Sequence, residues 1–242
     1  MNRAETQQLA AVCRDLLVSG DVAGALARLR PLVASRTPFT LLDLAGRVVA
    51  EAAATNPAAF TALLDGLAAT NEIGAWPLIG SALAAAYLPH ALPRAFAATR
   101  RYILQADVWH ATDALGERVL GPALRADFDA ALALLADWRA EASPWLRRAI
   151  GVAVHLYVKR ERRRPEQVAR LLDLLAPLFA ERDLAAIKGV GWGLKTIGRF
   201  YPDLLVPWLR QQLASQKPRR LMLQKAVEYL PAERQAEFLR AS

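Results

Sequence analysis

Cysteine and histidine are scarce in this chain of 242 residues. Cys13 is the single cysteine, which excludes a disulfide framework and a thiolate metal site. The three histidines, His90, His110 and His155, stand far apart and show none of the spacings of metal ligands. We therefore expect neither a metal nor another cofactor.

Long hydrophobic runs are missing as well. Residues 1–8 are mostly polar and lack the apolar core of a secretory leader. The most apolar stretch, Gly74–Leu88, is interrupted by Pro77 and is shorter than the roughly 20 residues needed to span a bilayer. We expect a soluble, cytoplasmic protein without a membrane partner.

Basic residues are in excess, but only in part of the chain. Residues 1–90 carry six Lys or Arg and seven Asp or Glu, whereas residues 91–242 carry 25 and 16. Such an excess favours a polyanionic partner. Only five of the basic residues are lysine, so an arginine excess that reflects the nucleotide composition of the genome is the alternative explanation.

Alanine and leucine are abundant and β-branched residues are few, which favours helices. No stretch alternates convincingly as a strand does. Proline, glycine and capping residues predict helices at 4–18, 21–34, 40–54, from 57, from 76, from 89–93, 107–121, 124–139, 144–160, 165–181, 184–200, 202–215, 219–229 and 231–240.

Related helix starts near residues 107, 144, 184 and 218 repeat every 34–40 residues, which is typical of an α-solenoid of the HEAT or armadillo kind. We predict an all-α solenoid of about six to seven helix pairs. It forms a single domain over residues 1–242, near-neutral to residue 90 and basic and site-bearing from residue 91. Stacked pairs curve, and one helix of each pair lines a concave face.

Trp109 and Asp113 stand four residues apart in the helical stretch 107–121. This spacing puts both side chains on one face, about 5–6 Å apart at Cβ. An indole can stack on a base or hold a cation. A carboxylate can stabilise positive charge that develops during bond cleavage. The alternative is a core tryptophan beside a solvated charge.

The helix at 184–200 carries a stripe of one indole and three cations at i, i+4, i+7 and i+11, namely Lys188, Trp192, Lys195 and Arg199. It also contains four glycines, Gly189, Gly191, Gly193 and Gly198. Glycine is costly in a helix, so these four indicate close approach of another backbone or of a ligand. The alternative is tight helix packing with a snorkelling basic edge.

Further basic side chains are candidates for phosphate contact. Helix 144–160 has Arg148, Gly151, His155 and Lys159 on one face, which either grips a phosphate or is simply solvated. We expect His155 to be structural rather than a catalytic base. The run 159–164 lies at a loop, where its charges are solvated or contact phosphate. Lys217, Arg219 and Arg220 lie at a helix start, where free N–H groups also attract phosphate.

Four motifs follow one another along residues 100–230: Trp109-x-x-x-Asp113, Ser143-x-Trp145-x-Arg147-Arg148, Lys188-x-x-Gly191-Trp192-x-Leu194-Lys195 and Lys225-Ala226-Val227-Glu228-Tyr229. Together they resemble the DNA alkylation repair family, the HEAT-like alkylpurine DNA glycosylases. The first 90 or so residues show only helical repeats.

The resemblance implies a C-shaped solenoid whose basic concave face holds duplex DNA and which excises cationic purines such as N3-methyladenine and N7-methylguanine. It implies that Trp109 and Trp192 are the aromatic pair at the lesion, that Asp113 is the catalytic carboxylate, and that Arg148 holds the DNA backbone. Two residues depart from the family pattern. His110 stands where the family usually has Asp, and Lys195 where it usually has Arg, so the bidentate fork is lost.

The sequence therefore predicts a DNA glycosylase that hydrolyses the N-glycosidic bond of N3- or N7-alkylated purines in duplex DNA, as a nucleoid-associated protein for which a monomer suffices. Predicted DNA contacts are Arg147, Arg148, Lys159, Lys188, Lys195, Arg199, Lys217, Arg219 and Arg220. The alternatives are a non-catalytic solenoid that recognises distorted or branched DNA by shape, and a protein-interaction scaffold whose tryptophans are packing residues.

Overall fold

The computed structural model describes residues 1–88 and 90–240, and the regular structure in these stretches is helical throughout. None of the helices described there is long and apolar enough to span a bilayer. Pro89, in the predicted start of the sixth helix, lies outside the described residues. The α-helices are α1 (Arg3–Ser19), α2 (Val22–Ala34), α3 (Phe39–Val49), α4 (Pro57–Ala68), α5 (Ala75–Tyr87), α6 (Leu92–Ala106), α7 (Trp109–Leu115), α8 (Gly121–Ala126), α9 (Phe128–Asp137), α10 (Pro144–Arg160), α11 (Pro165–Leu175), α12 (Leu184–Phe200), α13 (Pro202–Ser215), α14 (Arg220–Val227) and α15 (Ala232–Arg240).

Most helix starts lie where capping residues and prolines predict them. In α1, the Asn2 side chain accepts the Glu5 N–H at 3.0 Å and the Glu5 carboxylate accepts the Asn2 N–H at 2.9 Å, a reciprocal capping box. Asp21 and Asp183 accept N–H groups in the first turns of α2 and α12, as predicted. Prolines occupy the first turns of α4, α10, α11 and α13.

Two predicted helix boundaries differ clearly from the structure. The helix predicted at 165–181 ends at Leu175 and continues only as a 3-10 turn to Leu178. The break expected at Gly121-Pro122 is absent, because the chain passes from α7 through a π-helical turn, Gly116–Leu120, directly into α8. Pro122 has no N–H to donate four residues back, and the wide turn lies immediately before it. Gly121 is buried against Leu156 of α10. The helix ends instead at Ala126.

Contacts divide the chain into two compact units, the first covering Met1–Val119 and the second starting at Leu120. The change from near-neutral to basic sequence at residue 91 therefore falls inside the first unit. A single domain over the whole chain stays a prediction.

Each unit is built of helices that pack on the equivalent helix of the next pair. In the first unit, α1, α3, α5 and α7 pack in this order, and α2 packs on α4. In the second, α8, α10, α12 and α14 pack in order, and α9, α11 and α13 form the other layer. This is the packing of HEAT and armadillo repeats, so the predicted α-solenoid class is confirmed. With α7 and α8 taken as one helix, the described residues form seven pairs.

Helices α10 and α12 pack backbone to backbone. A Cβ atom on Gly151 would overlap the carbonyl group of Gly189, and a Cβ atom on Gly193 would lie 2.9 Å from the carbonyl oxygen of Gly151. These distances decide between the two interpretations of the α12 glycines. At Gly189 and Gly193 the close neighbour is another helix and not a ligand.

Gly151→Ala should lower the free energy of unfolding by about 1–3 kcal/mol, because the added methyl group forces α10 and α12 apart. Denaturant unfolding measures the change. Gly66→Ala in α4 is the matched control: its Cβ would meet the end of the flexible Leu26 side chain, 2.9 Å from Cδ2, and alanine favours a helix. Equal stability of Gly151→Ala and the wild type would contradict the packing described.

Candidate nucleic-acid interface

The first candidate group lies at the start of α7, in the first unit. Trp109 is the first residue of this helix and is 58% exposed. Asp113 follows one turn later and is half-buried, while the other side of α7 is buried through Ala111, Thr112 and Leu115. An exposed indole and a carboxylate therefore share one face, as predicted. The alternative that Trp109 is a core residue is wrong.

His110 lies beside this pair, with its ring centroid 5.7 Å from that of Trp109. Both ring nitrogens are buried and have no hydrogen-bond partner among the described residues. Burial lowers the pKa of His110, and the negative charge of Asp113 opposes that shift. The ring of His110 is therefore neutral at pH 7.

The second candidate group is the stripe on α12, in the second unit. Because α12 is one uninterrupted helix, Lys188, Trp192, Lys195 and Arg199 do share a face. Lys188 and Arg199 are exposed, and the other two are half-buried. The predicted arrangement of these four side chains on one face is therefore confirmed. Trp192 is partly exposed and is not buried between two helices.

Trp192 is held from below by His155 of α10. The two rings stack with centroids 4.1 Å apart and planes inclined by 25°. The Thr196 hydroxyl donates to the Trp192 carbonyl at 2.9 Å, so it accepts a hydrogen bond from His155 Nδ1 at 2.7 Å. The neutral His155 ring therefore carries its proton on Nδ1. As expected, this histidine is a structural residue.

Lys195 is fixed by the residues that follow α14. Its Nζ lies 3.2 Å from the Glu228 carboxylate and 5.1 Å from the centre of the Tyr229 ring. The charge of Lys195 is thus partly neutralised by an acid of the same unit.

The basic face predicted for α10 is largely buried. Arg148 and His155 are each 7% exposed, Gly151 is buried, and of the four residues only Lys159 is exposed. The Arg148 Nη1 donates to the carbonyl of Ala185 at 3.1 Å. The interpretation as a solvated face is wrong because Gly151 brings α12 directly onto it. A contact between Arg148 and the DNA backbone stays a prediction.

Arg147 is committed to neighbouring protein groups. Its Nε donates to Glu181 at 2.6 Å, and its Nη1 donates to the carbonyls of Glu141 at 2.6 Å and Ala142 at 3.0 Å. Burial alone would raise the pKa of Glu181, but hydrogen bonds from Arg147 and two backbone N–H groups outweigh burial and lower it. Arg147 therefore has a structural role, and its DNA contact stays a prediction.

The basic residues at the start of α14 are exposed, and two of them are hydrogen-bonded to Arg182 in the loop before α12. Arg219 Nη1 donates to the Arg182 carbonyl at 3.0 Å, and Arg182 Nη2 donates to the Lys217 carbonyl at 3.1 Å. Arg220 is the first residue of α14. These contacts place the side chains at a helix start, as predicted, and their contact with phosphate is untested.

Sequence reasoning overlooks Phe200, the last residue of α12. The guanidinium carbon of Arg162 lies 4.6 Å from the centre of its ring, and that of Arg199 lies 5.5 Å away. The sequence does contain a signal for this cluster: Arg199 directly precedes two aromatic residues, Phe200 and Tyr201, at the end of a predicted helix.

These features define the class: a HEAT-like helical-repeat protein that carries an exposed aromatic side chain on α7 of the first unit and a stripe of aromatic and basic side chains on α12 of the second. Residues 43–230 match the family described as DNA alkylation repair enzyme, and since this range is well over half of the sequence, the chain belongs to that family. No curated protein and no solved structure is significantly similar to the chain.

The family match corrects one expectation and supports another. The match begins at residue 43, so the similarity to the family extends further towards the N-terminus than the predicted start near residue 100. A DNA alkylation repair enzyme acts in DNA repair, so DNA is the partner.

Trp109→Ala should leave the free energy of unfolding within about 0.5 kcal/mol of the wild type, because most of this side chain lies in solvent. Trp76→Ala in α5 is the matched control, since Trp76 is 1% exposed and its truncation should cost about 3–5 kcal/mol. Thermal and urea unfolding distinguish the two. A large loss of stability in Trp109→Ala would show that its ring supports the fold.

The pKa of His155 predicts a pH dependence of stability. Burial, together with the positive charges of Lys159 and Lys195, lowers this pKa from 6.5 to about 4. The unfolded chain therefore binds the proton more readily, and the stabilising contribution is present above pH 6.5 and is lost as the pH falls towards 4. Between pH 7 and 4.5 the wild type should lose roughly 2–3 kcal/mol more than His155→Gln. Equal losses in urea unfolding would rule this out.

Proposed function

We propose that this DNA alkylation repair enzyme is a DNA glycosylase that hydrolyses the N-glycosidic bond of N3- or N7-alkylated purines in duplex DNA. The observation that carries the proposal is the exposed indole of Trp109 one turn before the Asp113 carboxylate on the same face of α7. An aromatic face and a negative charge side by side suit a substrate that is cationic and becomes a sugar cation during cleavage.

The chemistry requires little more than this pair. An N3- or N7-alkylated purine already carries a positive charge, so the electrons of the breaking bond neutralise the base and it leaves without protonation. The sugar then carries the positive charge, which Asp113 stabilises. Water adds to C1′ and loses a proton to solvent. Because the positive charge on the sugar develops only as the bond breaks, a carboxylate that stabilises it lowers the barrier and accelerates the reaction.

His110 and Lys195 determine which other residues must supply the negative charge and the DNA contacts. His110 is neutral at pH 7 and supplies no second carboxylate, so Asp113 alone provides the negative charge of the motif. Lys195 is paired with Glu228, so the contact of α12 with DNA depends on the other members of the stripe, Lys188 and Arg199. Trp192, stacked on His155, gives the second unit an aromatic surface of its own beside these cations.

The test is release of free base from a methylated duplex, followed by chromatography. Wild type should release N3-methyladenine or N7-methylguanine. Asp113→Asn keeps the shape of the side chain but removes its charge, and should lower the rate by about 100- to 1,000-fold, the usual effect of losing one electrostatic stabiliser. Glu72→Gln removes an exposed carboxylate elsewhere in the first unit and should release base at the wild-type rate.

Two results would overturn the proposal in different ways. Unchanged release by Asp113→Asn, with an intact fold by circular dichroism, would remove Asp113 from the chemistry. If wild type releases no base but still binds DNA in a salt-dependent manner, the protein is the non-catalytic DNA-binding solenoid.

A further inference from the structure

At the carboxyl-terminal end of α12, cations and aromatic rings alternate in a row. Arg162 lies over Phe200, Arg199 lies within 5.5 Å of the centres of both Phe200 and Tyr229, and Lys195 lies 5.1 Å from Tyr229. We name these five residues the cation–aromatic row. They come from three parts of the second unit: the loop after α10, the last turns of α12, and the residues that follow α14.

The loop that carries Arg162 is fastened to α12. The Tyr201 hydroxyl donates to the Glu161 carbonyl at 2.7 Å and accepts the Arg164 N–H at 3.1 Å. Both hydrogen-bonding roles of the phenol are used to hold residues on either side of Arg162. The guanidinium over Phe200 therefore belongs to an anchored segment and not to a freely solvated basic run.

Two cations of the row have no acidic partner. Across the described part of the chain, no carboxylate pairs with Arg162 or Arg199, whereas Lys195 has Glu228. Arg170 provides the contrast: it also lies over an aromatic ring, 5.0 Å from the centre of Phe128, but Asp129 pairs with it at 2.6 Å. The two arginines of the row thus retain unneutralised charge in a fixed place.

The chemistry of the row selects the anion. An aromatic ring attracts a guanidinium through its face but offers no strong hydrogen-bond acceptor, so the N–H donors of Arg162 and Arg199 stay available. A guanidinium presents these donors as a planar fork that matches the oxygens of a phosphate. Since the rings already restrict both side chains, less entropy is lost when an anion binds.

We propose that Arg162 and Arg199 are a binding site for the phosphate backbone of DNA, with Phe200 and Tyr229 holding the two guanidinium groups in position. This proposal rests on the proposed function only in taking DNA as the partner. It adds Arg162 and Phe200 to the interface and does not depend on base excision.

The experiment is the affinity of the full chain for an undamaged duplex oligonucleotide, measured by fluorescence anisotropy over a range of salt concentrations. A lost phosphate contact lowers the slope of log K against log salt by about 0.9. Arg162→Gln and Arg199→Gln should each show this reduction, and the double variant about twice as much. Arg170→Gln, the matched control, should keep the wild-type slope.

Phe200→Leu separates the role of the ring from that of the charges. It keeps both arginines, so the slope should stay at the wild-type value while the affinity falls by several-fold, because the guanidinium groups are no longer held in place. Circular dichroism and thermal unfolding confirm that each variant is folded.

The outcomes distinguish this proposal from the proposed function. Wild-type slopes in both arginine variants would overturn the phosphate site even if base excision is normal. Reduced slopes in the two arginine variants, but not in Arg170→Gln, would support it even if no base is released. A wild-type chain that does not bind the undamaged duplex would overturn the phosphate site, whereas release of base from a methylated duplex would still support the proposed function.

Discussion

The direct backbone contact between α10 and α12 determines the arrangement of the second unit. Gly151 on one helix meets Gly189 and Gly193 on the other without intervening side chains. Glycine costs about 0.5–1 kcal/mol at each helical position relative to alanine, so this closeness is obtained against helix propensity. Because the two helices lie so close, the ring of His155 on α10 stacks on the ring of Trp192 on α12. The Arg148 side chain is buried between the same helices. The candidate aromatic surface depends on that approach.

Local chemistry made much of the fold predictable. Caps and first-turn prolines give the bounds of α10, α12 and α13 as the structure has them, because these signals act within one turn. The stripe on α12 and the face shared by Trp109 and Asp113 follow from helical spacing alone. The buried face of α10 did not follow, since it depends on which helix packs there. The continuous helix at Gly121-Pro122 requires a π-helical turn, which has no clear sequence signal.

His110 and Lys195, where the resemblance leads us to expect Asp and Arg, both have surroundings that suit the residue present. His110 sits where burial disfavours a charge, and its ring nitrogens have no partners in the described part of the chain. Lys195 occupies a place between Glu228 and Tyr229. A lysine ammonium makes such contacts as a point charge, without the fixed fork of arginine. Both side chains are thus accommodated by the local electrostatics of this chain.

The hydrogen bonds of Tyr201 have a consequence for local opening. Tyr201 caps α12 by donating its backbone N–H to Ile197, and its phenol holds the loop after α10. Fraying of the last turn of α12 therefore also frees that loop. Segments that open together in this way behave as one cooperative unit of local unfolding. The end of α12 and the loop, 40 residues apart in sequence, are thus coupled in local opening.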